Sequence, residues 1–117
     1  MNLQVEMVRH RDTLIVRLVG ELDHHTADGV RMSLDEEIGR GGCRHLVLSL
    51  DSLQFMDSSG IGVILGRYKL IKHRGGRMVV CGVNPPVYRL FEMSGLFKIM
   101  SVYENESTAL SELEVAL

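Results

Sequence analysis

Between Leu46 and Ile71 the chain runs from a short, largely apolar stretch, Leu46-Val47-Leu48-Ser49-Leu50, through a polar segment ending at Ser59, into a stretch with helical spacing. A run this short and this apolar, ended by Asp51, has the pattern of a buried strand emerging at its carboxyl edge. Beyond it Ile61, Ile64, Leu65, Tyr68 and Ile71 follow i, i+3, i+4, i+7 and i+10, so one helix face packs on a core. A turn that opens a helix at the exit of a buried strand is the unit around which the remaining segments are arranged.

The same alternation runs through the rest of the chain. Leu3, Val5 and Met7 alternate with Gln4 and Glu6, and Leu14, Val16 and Leu18 repeat the period-two pattern after His10-Arg11-Asp12-Thr13, predicting an antiparallel pair of strands. A polar loop, Gly20-Glu21-Leu22-Asp23-His24-His25-Thr26, offers Asp23 and Thr26 as caps before Ala27, Val30, Leu34 and Ile38 mark a helix that Gly41-Gly42 ends. Gly75-Gly76 closes the central helix, and Met78-Val79-Val80-Cys81 reads as another buried strand. Asn84-Pro85-Pro86 pairs an N-cap with proline in the first turn of a short helix through Val87, Leu90 and Phe91, which stops at Ser94-Gly95. Ile99, Val102 and Tyr103 mark a weaker last strand, and Ser107 caps a terminal helix with Leu110, Leu113 and Leu117 on one side. About five strands and about four helices in the order ββαβαβαβα predict one α/β domain over residues 1–117, with a mixed, mostly parallel sheet and one antiparallel edge strand. Sites in such sheets form outside the carboxyl ends of the strands, so the Asp23-His24-His25 loop and the Asp57-Ser58-Ser59 turn are expected as neighbours on one rim.

At the start of the central helix Asp57 or Ser58 can accept from the unpaired backbone N–H groups of the first turn. Gly60, Gly62 and Gly66 need a reason, since glycine inside a helix costs ~1 kcal/mol relative to alanine and all of them together roughly 3 kcal/mol. Either the helix lies very close to the sheet or another molecule's backbone lies close to the helix; the residue types leave both open. A serine at a helix start also suits a phosphate, whose dianion meets N–H groups and the positive end of the helix dipole, worth up to ~2 kcal/mol. Such a group would spoil a docking surface without unfolding anything.

Composition narrows the partners. A net charge of −2 with pI near 6.2 gives no basic field for nucleic acid. Met1 to Arg9 alternates charged and apolar residues with no continuous apolar run, so neither signal peptide nor membrane span is expected, and the protein is expected in the cytoplasm. Cys43 and Cys81 are far apart in small or apolar surroundings and form no C-x-x-C pair, which reads as buried free thiols.

For catalysis, Ser58 as nucleophile, His24 or His25 as base and Asp23 or Asp57 as orienter supply the parts of a small serine hydrolase. Against that reading, Met56 stands where a G-x-S-x-G elbow has its first glycine, and no second glycine cluster offers oxyanion donors. Adjacent histidines point in different directions on most backbones, and no carboxylate spacing completes a metal site with them. There is no G-x-x-x-x-G-K-[ST] phosphate-binding loop. No catalytic residue, metal or cofactor is expected.

Asp57-Ser58-Ser59-Gly60-Ile61-Gly62, with Asp51 and Phe55 ahead of it, Gly20-Glu21-Leu22-Asp23 at the second strand's exit, Asn84-Pro85-Pro86 and the Phe91 to Phe97 segment, resembles the STAS-domain anti-sigma-factor antagonists over essentially the whole chain. The resemblance implies a protein that, unphosphorylated, binds an anti-sigma factor with serine-kinase activity and releases a sporulation sigma factor. It further implies inactivation by phosphorylation of the motif's first serine, Ser58, and restoration by a metal-dependent phosphatase. It places the partner-binding surface at Glu21, Asp23, His24, Asp57, Ser58, Ser59, Gly60 and Gly62. STAS-type regulatory scaffold modules with other partners share this resemblance.

Overall fold

The computed structural model describes residues 2–116, and side chains as far as Glu114. The chain begins with β1 (Leu3–His10) and β2 (Thr13–Leu22), an antiparallel hairpin in register from Leu3 opposite Gly20 to His10 opposite Thr13. Then come α1 (Ala27–Gly39), β3 (His45–Ser49), β4 (Leu53–Met56) and α2 (Ser58–His73). The remainder is β5 (Met78–Cys81), α3 (Pro85–Ser94), α4 (Leu96–Ile99), β6 (Val102–Tyr103) and α5 (Glu106–Ala116). The sheet order is β1-β2-β3-β5-β6, with β4 also on β2. Every pairing except β1 with β2 is parallel, the expected mixed sheet with one antiparallel edge strand.

The period of two along the strands explains why helices lie on both faces. Leu14, Val16 and Leu18 of β2, Leu46 and Leu48 of β3, and Met78 and Val80 of β5 join Val30, Leu34 and Ile38 of α1, Val63, Ile64 and Ile71 of α2, and Val87 and Phe91 of α3 in the larger core. The intervening residues Ile15, Val47, Val79 and Cys81 face the other way, onto Ala109 and Leu113 of α5. β3 is therefore buried along its whole length, as its apolar run predicts. Cys43 and Cys81 are free and buried, and burial pushes the Cys81 thiol up to about 11.

Among the described residues there are six strands and five helices where about five and about four were expected. The added strand, β4, matters most for the rim. β2 is ten residues long, and β3 pairs only with Thr13–Arg17. After a turn, β4 lies parallel to the remaining end of β2, at Gly20–Leu22, across a register shift between Gly20 and Glu21. Gly20 is obligatory there, because its φ is 117° and a side chain would strike the carbonyl of Asn2. The added helix, α4, takes in Ile99, which was expected in the last strand. Two caps also differ. Asn105 Oδ1 accepts from the Thr108 N–H at 2.9 Å, so Asn105 and not Ser107 caps α5, while Leu117 lies outside the described residues. Asn84 does occupy the N-cap position of α3, but its side chain makes no cap bond. Its Nδ2 donates instead to the carbonyls of Leu50, Asp51 and Leu53 at 3.2, 3.0 and 2.9 Å, tying the β3–β4 turn to α3.

Candidate functional site

Two segments meet at the carboxyl ends of β2 and β4. The first begins at half-buried Glu21, which pairs across the sheet with Phe55, a residue 46% exposed. Asp23, only 2% exposed, turns its Oδ1 back to accept from the N–H groups of His25 at 2.9 Å and Thr26 at 3.1 Å. Its own N–H donates to Thr26 Oγ1 at 3.0 Å, and that hydroxyl donates to the Glu21 carbonyl, also at 3.0 Å. Asp23 and Thr26, the two cap candidates, thus spend their side chains closing the loop; Thr26 stands at the N-cap of α1 without a side-chain cap bond. Burial raises the Asp23 carboxyl, but the donors from His25 and Thr26 outweigh it and hold the carboxyl below the usual range. Asp23 Oδ2 is buried with no hydrogen-bond partner among the described residues.

The second segment starts at Asp57, whose N–H donates to the Leu22 carbonyl at 3.2 Å. Asp57 has extended backbone (φ −114°, ψ −170°), and its Oδ1 accepts from the Ser59 N–H at 2.8 Å, so Asp57 is the cap of α2. Its Oδ2 accepts from the His24 N–H at 3.1 Å, with His24 Nδ1 at 3.6 Å. One carboxylate therefore caps the helix and pins the neighbouring loop, and the two segments expected on one rim are joined through it. The His24 and His25 ring centroids lie 3.9 Å apart with their planes tilted by 39°.

Ser58 is the first helical residue and is exposed, and its hydroxyl makes no hydrogen bond among the described residues. The N–H groups that follow are occupied. Ser59 donates to the Asp57 side chain, and Gly60 and Ile61 donate to the Asp57 carbonyl at 3.0 and 3.4 Å. His24 reaches Asp57, but no hydrogen bond joins either histidine to Ser58 among the described residues.

The glycines of α2 separate. Gly60 is buried: a methyl group there would meet Met56, with Sδ 2.8 Å away, and Leu22 Cδ2 at 3.0 Å. Gly62 and Gly66 would meet nothing within 4 Å. Of the residues assigned to partner binding, the structure exposes His24, Ser58 and Gly62, leaves Glu21, Asp57 and Ser59 half-buried, and buries Asp23 and Gly60. Buried Asp23 organises the loop through its bonds to His25 and Thr26, and buried Gly60 lets α2 approach the sheet. Phe55 and Asn84 were absent from that assignment. A large apolar residue two positions before the cap was the signal for the first; the second signalled a helix cap and gave no hint of the β3–β4 turn.

The STAS-domain family profile matches residues 4–109. An anti-sigma F factor antagonist of Paenibacillus polymyxa is 70% identical over 98% of each chain. Among solved structures, the unphosphorylated form of the anti-sigma factor antagonist SpoIIAA superposes with a TM-score of 0.82 and 34% identity, over 97% of this chain and 96% of that one. The phosphorylated form of the Bacillus cell fate determinant SpoIIAA gives 0.73, also at 34%, over 95% and 98%.

Proposed function

The chain belongs to the STAS-domain family, and on that premise we propose that it acts as an anti-sigma-factor antagonist switched at Ser58. In this reading the whole chain is one such domain. Its unphosphorylated rim, with His24, Asp57, Ser58, Ser59 and Gly62 in contact and Glu21 at the margin, binds an anti-sigma factor and frees the sigma factor that the latter holds. That partner is also the serine kinase that phosphorylates Ser58, and a metal-dependent phosphatase reverses the modification. The protein itself is substrate and binding partner and turns nothing over.

The observation that carries the Ser58 assignment is the division of labour at the start of α2. Asp57 caps the helix, leaving the Ser58 hydroxyl exposed and without a structural duty. A phosphate attached there adds nearly two negative charges beside Asp57, close to Asp23 and Glu21, on a surface meant to be covered. Because the Ser59, Gly60 and Ile61 N–H groups already have acceptors, the phosphate is not drawn into the helix end and stays on the docking face. The switch is then local charge and bulk, with the fold preserved.

Incubation with Mg-ATP and a candidate anti-sigma kinase, followed by peptide mapping, tests the assignment. Phosphate is expected on Ser58 and absent from the Ser58→Ala protein. Phosphate on Ser59 in the wild type, or full-rate labelling of Ser58→Ala, would refute it.

A further inference from the structure

The opposite pole of the molecule carries a feature that the rim does not use. Between Asp57 and Glu92 the sequence has no acidic residue, while Lys or Arg stands at 67, 69, 72, 74, 77 and 89. Some of these cations are spoken for: Arg67 Nε lies 3.1 Å from Asp35 Oδ1, and Arg74 Nη1 donates to the Ile38 carbonyl at 3.1 Å. Lys72 and Arg77 are not, since among the described residues neither has a carboxylate within salt-bridge distance. Both line one cleft of about 240 Å³ at the amino ends of β5 and β6, between α2 and α4, with Tyr68, Met78, Ile99 and Ser101.

A purely structural reading accounts for part of this. A cation in the last turn of a helix meets the negative end of its dipole, and Lys72 is so placed. The dipole does not account for Arg77, which lies beyond the helix on the approach to β5. Two like charges on one small cleft repel, and a counter-charge between them removes that repulsion. Other features hold the pair in place. Lys72 Nζ sits 5.7 Å over the Tyr68 ring, and the Arg77 N–H donates to His45 Nδ1 at 3.0 Å. The Ser101 hydroxyl adds a donor, and Met78 and Ile99, the latter 43% exposed, add an apolar wall.

We propose that this cleft binds a small organic phosphate, its dianion held by Lys72 and Arg77 with Ser101, and its apolar part against Met78 and Ile99. Lysine meets a phosphate as a point charge and arginine as a fork of parallel donors, so the two together suit a dianion better than a monovalent carboxylate. The cleft admits only a compact ligand, being smaller than the roughly 300–1,000 Å³ of sites for drug-sized molecules. α2 spans about 24 Å, at 1.5 Å per residue, and separates this cleft from Ser58. The site is thus independent of the phosphorylation proposed at the rim.

Backbone NMR titration of the full chain with phenyl phosphate, benzoate and inorganic phosphate, in about 0.15 M salt, decides the matter. Saturable shifts are expected at Lys72, Gly76, Arg77 and Ser101, with phenyl phosphate binding about tenfold more tightly than the other two, a difference of ~1.4 kcal/mol. Lys72→Gln, at an exposed position, should weaken phenyl phosphate several-fold, and Lys72→Gln with Arg77→Gln at least about tenfold; Ser58→Ala should bind as the wild type does. The absence of saturable shifts, shifts centred on the start of α2, or undiminished affinity in both glutamine variants would overturn the proposal. Benzoate binding as tightly as phenyl phosphate would overturn the assignment of the ligand as a phosphate.

Discussion

At the scale of single residues, adjacent positions with similar side chains have separate duties. Asp57 and Ser58 were interchangeable as caps in the sequence, because either oxygen reaches the first turn; the extended backbone at Asp57 decides between them. Asp57→Ala should therefore cost about 0.5–2 kcal/mol, and Ser58→Ala within about 0.5 kcal/mol of nothing, both read from urea midpoints. Equal losses for the two would contradict the assignment of the cap. Asn84 teaches the same lesson in reverse. A short polar residue before Pro85-Pro86 has the signature of a cap, yet its amide group turns back to bind carbonyls of a turn distant in sequence, a contact no local pattern announces. Asn84→Ala removes the donor shared by the part-buried Leu50 and Leu53 carbonyls, the first of which keeps the Leu53 N–H, and should cost about 1 kcal/mol. Asn84→Asp should cost at least as much, because a carboxylate cannot donate; full stability in the aspartate variant would mean that those carbonyls do not depend on Asn84.

At the scale of elements, α2 shows how far sequence spacing carries. Consecutive helical residues are about 100° apart, so Gly60 and Gly62 lie roughly 200° apart on opposite faces, while Gly62 and Gly66 lie about 40° apart on one. Close packing explains Gly60, against Met56 and Leu22, whereas an external partner can apply only to Gly62 and Gly66, which have open space around them. Gly62→Ala should stabilise the protein by up to about 1 kcal/mol, through helix propensity alone. Gly60→Ala should destabilise it, since Met56 and Leu22 must shift to admit the methyl group. Thermal melts of the two variants, expected to move in opposite directions, check this; a joint fall would mean that α2 is packed on both faces. The helices and long strands were legible because each carries several periods of a regular pattern. β4 was not, since its four residues are buried, exposed, exposed and buried, which breaks the period of two, and its partner is the far end of β2. α4 is a single turn, too short for any periodicity to show.

At the scale of the whole molecule, titrating groups away from the rim join Asp23 in setting how the fold responds to acid. His45 is 1% exposed and its Nδ1 accepts from the Arg77 N–H. Burial, reinforced by Arg44 and Arg77 and opposed by Asp12, holds its imidazole below the ordinary value. The unfolded chain takes up this proton first, so stability is full above about pH 6.5 and declines as pH falls toward the folded value. Glu106 acts lower. Its bidentate pair with Arg17, at 2.7 and 2.9 Å, holds its carboxyl below the ordinary range, so that contribution is present above about pH 4.5 and lost beneath it. Urea midpoints against pH should show both declines in the wild type and only the lower one in His45→Gln; an upper decline that persists in the variant would assign it to another group. None of this involves Ser58, which is why a switch there can act on the partner and spare the fold. The most direct measurement of that central claim is the affinity of one anti-sigma partner for the protein with and without phosphate on Ser58, by calorimetric titration. Binding weaker by about a hundredfold or more in the phosphorylated form, roughly 2.7 kcal/mol, is the expected result, and equal affinities for the two forms would contradict it.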